Sequence, residues 1–293
     1  MRILVTGRSG QVGYELERSL QGLGEVIAAD RDMMDLYDLD RIRTVIREIK
    51  PALIVNPAAY TAVDAAESEP ERAMRINGEA PGVMAEEARR LGAAIIHYST
   101  DYVFDGSKAG AYTEEDVPMP ANVYGRTKLA GEQAIQASGA PHLILRTSWV
   151  YGTRGRNFLL TVRRLAQEKE ELRIVADQYG APTWCRTIAD TTAHMVAGLG
   201  AGRANAGLDL DLLRQRSGVY HLTAQGQTTW HGFAETVIAH WSTERKPVVK
   251  PITTKDYPLP AKRPANSVLS CNKLMETFCS LPRWDSALRL CLE

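Results

Sequence analysis

The chain has 293 residues, 44% hydrophobic and 24% charged, enough for one large domain or two modest ones with the balance of an ordinary soluble globular protein. Lys plus Arg and Asp plus Glu number 35 each, so there is no basic field for nucleic acid and no charge bias toward a membrane surface. The four cysteines (Cys185, Cys271, Cys279, Cys291) form no CxxC pair and have no histidine at ligand spacing, which argues against a disulfide framework or a zinc site.

The start, "MRILVTG", enters a strand pattern without the apolar run of a signal peptide, and no stretch approaches the ~18–20 apolar residues of a membrane span. A cytoplasmic location is expected. In chain order, residues 2–6 read as a buried strand and 11–24 as a helix with Val12, Leu16 and Leu20 inward. A strand at 25–30, a helix at 38–50 and a strand at 52–56 follow. One helix over "PERAMRINGEAPGVMAEEARRLG" leads to a strand at 93–99, and a helix at about 122–138 leads to a strand at 142–147. After residue 148 the alternation loosens: 157–170 helical, "LRIVAD" extended, 187–200 helical, 201–217 a variable loop with a short helix. A late strand at 218–222 and a helix at 229–241 precede a Pro-rich stretch, 257–267, that fits no element.

Strands alternating with helices predict the α/β class: a Rossmann-like, doubly wound parallel sheet, with a smaller interleaved C-terminal substrate domain. The expected division is 1–148 plus 187–222 for the dinucleotide-binding domain and 149–186 plus 223–293 for the substrate domain.

Two motifs carry chemistry. "TGRSGQVG" places Gly7, Gly10 and Gly13, with Gln11 and Val12 among them, between the first strand and the first helix. Such a turn lets a pyrophosphate approach backbone amides at a helix N-terminus. Asp30 closes the second strand 23 residues after Gly7, where a carboxylate accepts from adenosine ribose hydroxyls. Arg8 and Arg31 offer cations to a 2′-phosphate, so both NADPH and NADH are expected to serve. "YGRTK" then sets Tyr124 and Lys128 four residues apart, on one face of a helix. An ammonium beside a phenol favours the phenolate, bringing the phenol nearer to proton exchange at neutral pH.

Together "TGRSGQVG", "YGRTK" and the strand-ending "STDYVFDG" (99–106) resemble the extended short-chain dehydrogenase/reductases that act on nucleotide sugars. Within that superfamily "VNPAAYTAVDAAESEP", "RTSWVYG", "DQYGAPTW" and "RPANS" are similar to the dTDP-4-dehydrorhamnose reductase family, the likeness running from residue 1 to about 290. The resemblance implies reduction of the C4 ketone of dTDP-4-dehydro-β-L-rhamnose to dTDP-β-L-rhamnose, the last step of dTDP-L-rhamnose biosynthesis. It implies that Thr100 donates to the substrate carbonyl while Tyr124 supplies the proton, with Ser99 the local rival for the hydroxyl role. Lys128 would bond the nicotinamide ribose and hold down the tyrosine pKa.

By the same likeness Asp101 lies against the sugar, Asp35 and Leu36 border the adenine, and Ala59, Tyr60 and Thr61 line the cofactor channel. Trp149 would touch the deoxysugar and Arg263 the diphosphate, a solvated arginine being the alternative. Tyr102, Val103 and Phe104 are expected to pack, Asp64 to cap a helix or touch ligand, and His97 to be a satisfied core histidine. Arg186 stands where some family members carry an acid for Mg²⁺ at a dimer contact. No metal is therefore expected, and the chain is expected to be a monomer or weak homodimer. An NDP-sugar epimerase or dehydratase, or a non-catalytic subunit on this fold, remain the rival readings.

Overall fold

A computed structural model describes residues 1–200, 207–241 and 246–293. In chain order the elements are β1 (Arg2–Val5), α1 (Gln11–Ser19), β2 (Glu25–Ala28), α2 (Leu39–Ile49), β3 (Leu53–Asn56), α3 (Val63–Ala66), α4 (Pro70–Met74), α5 (Ala80–Leu91), β4 (Ala94–Thr100), α6 (Val123–Ser138) and β5 (His142–Thr147). There follow β6 (Val150–Tyr151), α7 (Phe158–Glu168), β7 (Glu171–Val175), β8 (Tyr179–Gly180), β9 (Thr183–Trp184), α8 (Cys185–Gly198), α9 (Leu210–Gln215), β10 (Gly218–His221), β11 (Thr228–Thr229), α10 (Trp230–His240), β12 (Val248–Ile252), α11 (Asn272–Thr277) and α12 (Trp284–Leu292).

Six strands form one parallel sheet in the order β10-β5-β4-β3-β1-β2. Alternate residues of each strand point to opposite faces, so Ile3, Val5, Leu53, Val55 and Ile96 pack with Leu16 of α1 and Ile188 of α8. Leu4, Ile54, Ile95 and Ile144 pack on the other face with Ile42 and Ile46 of α2 and Met84 of α5. Both faces are covered, which is why the strands read as apolar runs. The order reverses between β1 and β3, and in doubly wound sheets the ligand crevice opens at that switch point, beyond the strand carboxyl ends. A third core joins Tyr151, Leu159 and Val162 to Phe233, Val237 and Leu288, forming a smaller lobe. Cys271, Leu274 and Leu281 pack into the first core instead, so the tail does not keep to one lobe.

Local chemistry sets the helix boundaries. Asp38 caps α2 by accepting from the amides of Asp40 at 3.1 Å and Arg41 at 2.9 Å. The single helix expected over 70–92 is two helices joined by a π turn, Arg75–Glu79. The turn has a reason: it carries Asn77, whose carboxamide accepts from the Tyr60 amide at 2.8 Å and donates to its carbonyl at 3.0 Å, clamping the loop after β3. Of the expected loop at 201–217, α9 is its short helix, and residues 201–206 lie outside the described residues.

Candidate active site

A cavity of about 530 Å³ opens at the carboxyl ends of β1, β3 and β4. The structure brings onto its wall the turn residues Gly7, Gly10, Gln11, Val12 and Gly13, then Asp30, Arg31, Asp35 and Leu36, then Ala59, Tyr60 and Thr61, and finally Tyr124 and Lys128. The glycines are required by contact. Gly7 has φ +58°, and a Cβ at Gly13 would lie 2.1 Å from the Gly7 carbonyl oxygen. Such a bare backbone cradle at the start of α1 fits the pyrophosphate of a dinucleotide. Two buried hydroxyls on the same wall, Ser99 Oγ and Thr147 Oγ1, have no partner within the protein and are free for a polar ligand.

One carboxylate oxygen of Asp30 accepts from the Met33 amide at 3.1 Å. Arg8 turns off the cleft toward Glu17, 3.6 Å away, leaving Arg31 on the wall. Arg72 and Arg156, which the sequence reading missed, stand on the same wall; neither belongs to a motif that would have singled it out.

Tyr124 is set by the first turn of α6. Asn122 caps that helix by accepting from the Gly125 amide at 2.8 Å, and Glu67 accepts from the Val123 amide at 2.8 Å. Gly125 lets α6 approach the loop after β4, since a Cβ there would meet the Tyr102 carbonyl oxygen at 2.1 Å. The phenol consequently meets the Thr100 hydroxyl, which itself donates to Asp101 at 3.0 Å and accepts from the Tyr102 amide at 3.1 Å.

The electrostatics differ from the expectation of a lowered phenol. Burial pushes Tyr124 up to about 12, the Thr100 hydroxyl offsets part of this, and Asp101 adds to it. Lys128 is itself buried and lowered to about 7, against a pull upward from Glu132. It donates to the Tyr98 carbonyl at 2.6 Å and lies 3.0 Å from His97 Nε2. Tyr124 is therefore a neutral phenol at pH 7, the form that can give a proton away. Thr100 and Asp101 are both buried and neither is on a cavity wall, where Ser99 and Tyr124 stand instead; burial raises the Asp101 carboxyl to about 7, offset in part by hydroxyl and amide donors.

A second cavity, about 880 Å³, lies in the smaller lobe, lined by Tyr102, Gln178, Trp230, Tyr257 and Arg263 among others. Tyr102 of this wall and Tyr124 of the first meet edge to face, ring centroids 5.9 Å apart, so the two cavities adjoin at the phenol. Tyr102 thus does more than pack, whereas Val103 and Phe104 are buried with Tyr112 and Leu269. Arg263 donates to Asp64 at 2.7 Å, and Asp64 also accepts from the Ala261 amide at 3.1 Å. Asp64 does not cap α3; its carboxylate holds the 261–263 loop because both of its oxygens are taken by that loop.

Trp149, at φ +47°, stacks on Trp230 with centroids 3.6 Å apart and faces Gly180, so Trp230 carries the indole surface of the second cavity. His97 is buried with both ring nitrogens engaged, by Asn56 and by Lys128. Arg186 pairs with Glu15 at 3.2 Å. Among the described residues no group of three or more His, Cys, Asp or Glu is arranged to hold a metal, and no helix is long and apolar enough to cross a membrane.

Comparison with known proteins places these features in context. The profile of the RmlD substrate binding domain family matches residues 1–293. A dTDP-4-dehydrorhamnose reductase of Burkholderia thailandensis is 50% identical over 299 aligned residues, covering 100% of this chain and 98% of that one. The crystal structure of a dTDP-4-dehydrorhamnose reductase from Clostridium acetobutylicum superimposes with a TM-score of 0.90 at 34% identity, covering 100% of this chain and 98% of that one. A dTDP-4-dehydrorhamnose reductase from Bacillus anthracis, solved in complex with NADP, gives a TM-score of 0.88 at 32% identity, with 99% and 98% covered.

Proposed function

Because the chain belongs to the RmlD substrate binding domain family and to the full-length dTDP-4-dehydrorhamnose reductases within it, we propose that it reduces the C4 ketone of dTDP-4-dehydro-β-L-rhamnose to dTDP-β-L-rhamnose with NADPH or NADH. The observation that carries this reading is the neutral, buried phenol of Tyr124, paired with Thr100 where the two cavities meet.

The glycine turn and the amides opening α1 would hold the pyrophosphate, Asp30 the adenosine ribose, and Ser99 and Thr147 the polar edge of the nicotinamide. Arg31 and Arg72 give the adenosine end two cations for a 2′-phosphate, while Asp30 suits a free ribose, which supports use of either dinucleotide. When bound, the reduced nicotinamide supplies the hydride to the ketone carbon. Tyr124 donates its proton to the C4 oxygen, and the Thr100 hydroxyl, turning its one proton from Asp101, donates a hydrogen bond to that oxygen as charge develops on it. Lys128 places positive charge one helical turn from the phenol and eases departure of its proton. Arg263 takes the diphosphate, sharing its fork with Asp64, and Trp230, backed by the stacked ring of Trp149, gives the sugar an apolar wall.

The test is stoichiometry. Purified chain with dTDP-4-dehydro-β-L-rhamnose should consume one reduced dinucleotide per ketosugar, followed by the loss of reduced-nicotinamide absorbance, and should be slower with a UDP-linked analogue. Interconversion of sugars without net consumption would replace the reductase reading by an epimerase or dehydratase.

A further inference from the structure

Lys128 stands at the end of a chain of side chains that crosses the sheet. The Ala58 amide donates to Thr6 Oγ1 at 3.2 Å, and the Thr6 hydroxyl donates to Asn56 Oδ1 at 2.6 Å. Asn56 Nδ2 lies 3.0 Å from His97 Nδ1, and His97 Nε2 lies 3.0 Å from Lys128 Nζ. Asn56, the last residue of β3, is opposite His97 of β4 in the parallel register, so the sheet itself aligns the chain. All four side chains are at most 1% exposed, so each link depends chiefly on its protein neighbour, with only Thr6 and Lys128 reaching the first cavity.

Each link has a fixed number of protons. With the Thr6 hydroxyl donating to Oδ1, the amide nitrogen faces His97, Nδ1 must accept, and the imidazole proton sits on Nε2, aimed at Lys128. A neutral amine accepts that proton in a hydrogen bond; an ammonium has no lone pair with which to do so. With the Asn56 carboxamide turned over, Nδ2 donates to Thr6 Oγ1, whose own proton turns into the first cavity that Thr6 lines; Oδ1 then accepts from Nδ1–H and Nε2 offers its lone pair, which an ammonium requires. The network therefore has two self-consistent polarities, one for each charge of Lys128.

We propose that Asn56 and His97 are positioning residues for Lys128 that couple its charge to the imidazole tautomer: ammonium with Nδ1–H, amine with Nε2–H. The inference concerns how Lys128 is held and deepens the reductase reading, whose mechanism uses that ammonium. Burial brings the lysine down to about 7, so both charges are populated near neutral pH, and it holds His97 well below the ordinary histidine range, so the ring itself stays neutral. The other groups around this turn are Tyr124 and Glu132 on α6 and Asp101 after β4. Glu132 is occupied by both arms of Arg146 from β5, at 2.9 and 2.6 Å, while Asn56 and Thr6 bring no charge.

The test is nitrogen-15 NMR of the full chain with labelled histidine and lysine, without sugar, between about pH 5 and pH 9. His97, assigned by the signal missing from His97→Gln, should pass from Nδ1–H to Nε2–H with the midpoint at which Lys128 titrates. One tautomer throughout, or a change at a different midpoint, overturns the proposal. An ionised side chain in Asn56→Asp can only accept, so that variant should keep Nδ1–H across the range and raise the Lys128 midpoint by about one unit or more. Its alkaline limb in kcat should move up with that midpoint while KM for the dinucleotide stays within about threefold. Persistence of the Nε2–H form at high pH in Asn56→Asp also overturns it. Should Asn56→Asp fail to fold, the wild-type spectra decide alone. A chain with coupled titrations that fails to reduce the ketosugar would keep this inference and lose the reductase reading.

Discussion

The two cavities are built in opposite ways. The first, about 530 Å³, follows four consecutive strand ends, with the glycine turn, the 57–61 loop and residues 98–99 each contributing a contiguous stretch and the bare backbone of the turn forming its floor. The second, about 880 Å³, is assembled from side chains scattered over residues 102, 158–178, 230 and 252–263. Backbone amides recognise what every dinucleotide has in common, whereas side chains on separate elements recognise one particular sugar nucleotide. A scaffold of this kind keeps its cofactor and changes its substrate, because only the second wall can be rewritten without rebuilding the sheet.

The largest expected effect lies where the cavities meet. Tyr124→Phe keeps the ring and its edge-to-face contact with Tyr102 but removes the proton. Its kcat should fall by about 10²–10⁴-fold while dinucleotide binding, measured by fluorescence titration, is unchanged. Near-full turnover would remove Tyr124 from the chemistry.

Arg263→Ala should act on one cavity alone. Loss of a charge-assisted contact should raise KM for the sugar nucleotide by about 10- to 100-fold, with KM for the dinucleotide unmoved in the same steady-state assay. An equal rise in both would mean that Arg263 only anchors its loop to Asp64.

Asp101→Asn should give the smallest effect, in stability. Burial raises the Asp101 carboxyl to about 7, far above its value in an unfolded chain. The folded protein then holds a proton that the unfolded chain releases, and stability from this residue falls as pH rises from about 4 to about 7. The Tm gain of Asp101→Asn over the parent should grow across that window to a few degrees and then level off. A pH-independent difference in thermal scans would contradict the assignment.

The same contrast explains how much was legible in the sequence. Gly7, Gly13 and Asp30 could be read because a tight turn and the end of the next strand are neighbours in the chain and their chemistry is that of the backbone. Tyr124 and Lys128 could be read as a pair because helix geometry sets four-residue neighbours on one face. Spacing says nothing of dielectric, however, and so the phenol came out raised, not lowered. Asp64 and Trp149 met partners about 200 and 80 positions away, Arg263 and Trp230, and no local pattern announces such meetings. Asn56 had a signal that went unused: a polar residue ending the apolar run "ALIV", the same feature that singled out "STD" on the next strand.

Asn122 has a part in both halves of the site. One end of its carboxamide begins the helix that bears Tyr124, and the other donates to the Lys262 carbonyl at 2.9 Å, next to Arg263. On the proposed reading, the grip on the nucleotide and the aim of the phenol are geared through a single amide group. A bare ketosugar lacking its nucleotide leaves that gear unloaded, and should be turned over slowly even at concentrations where its ring fills the pocket.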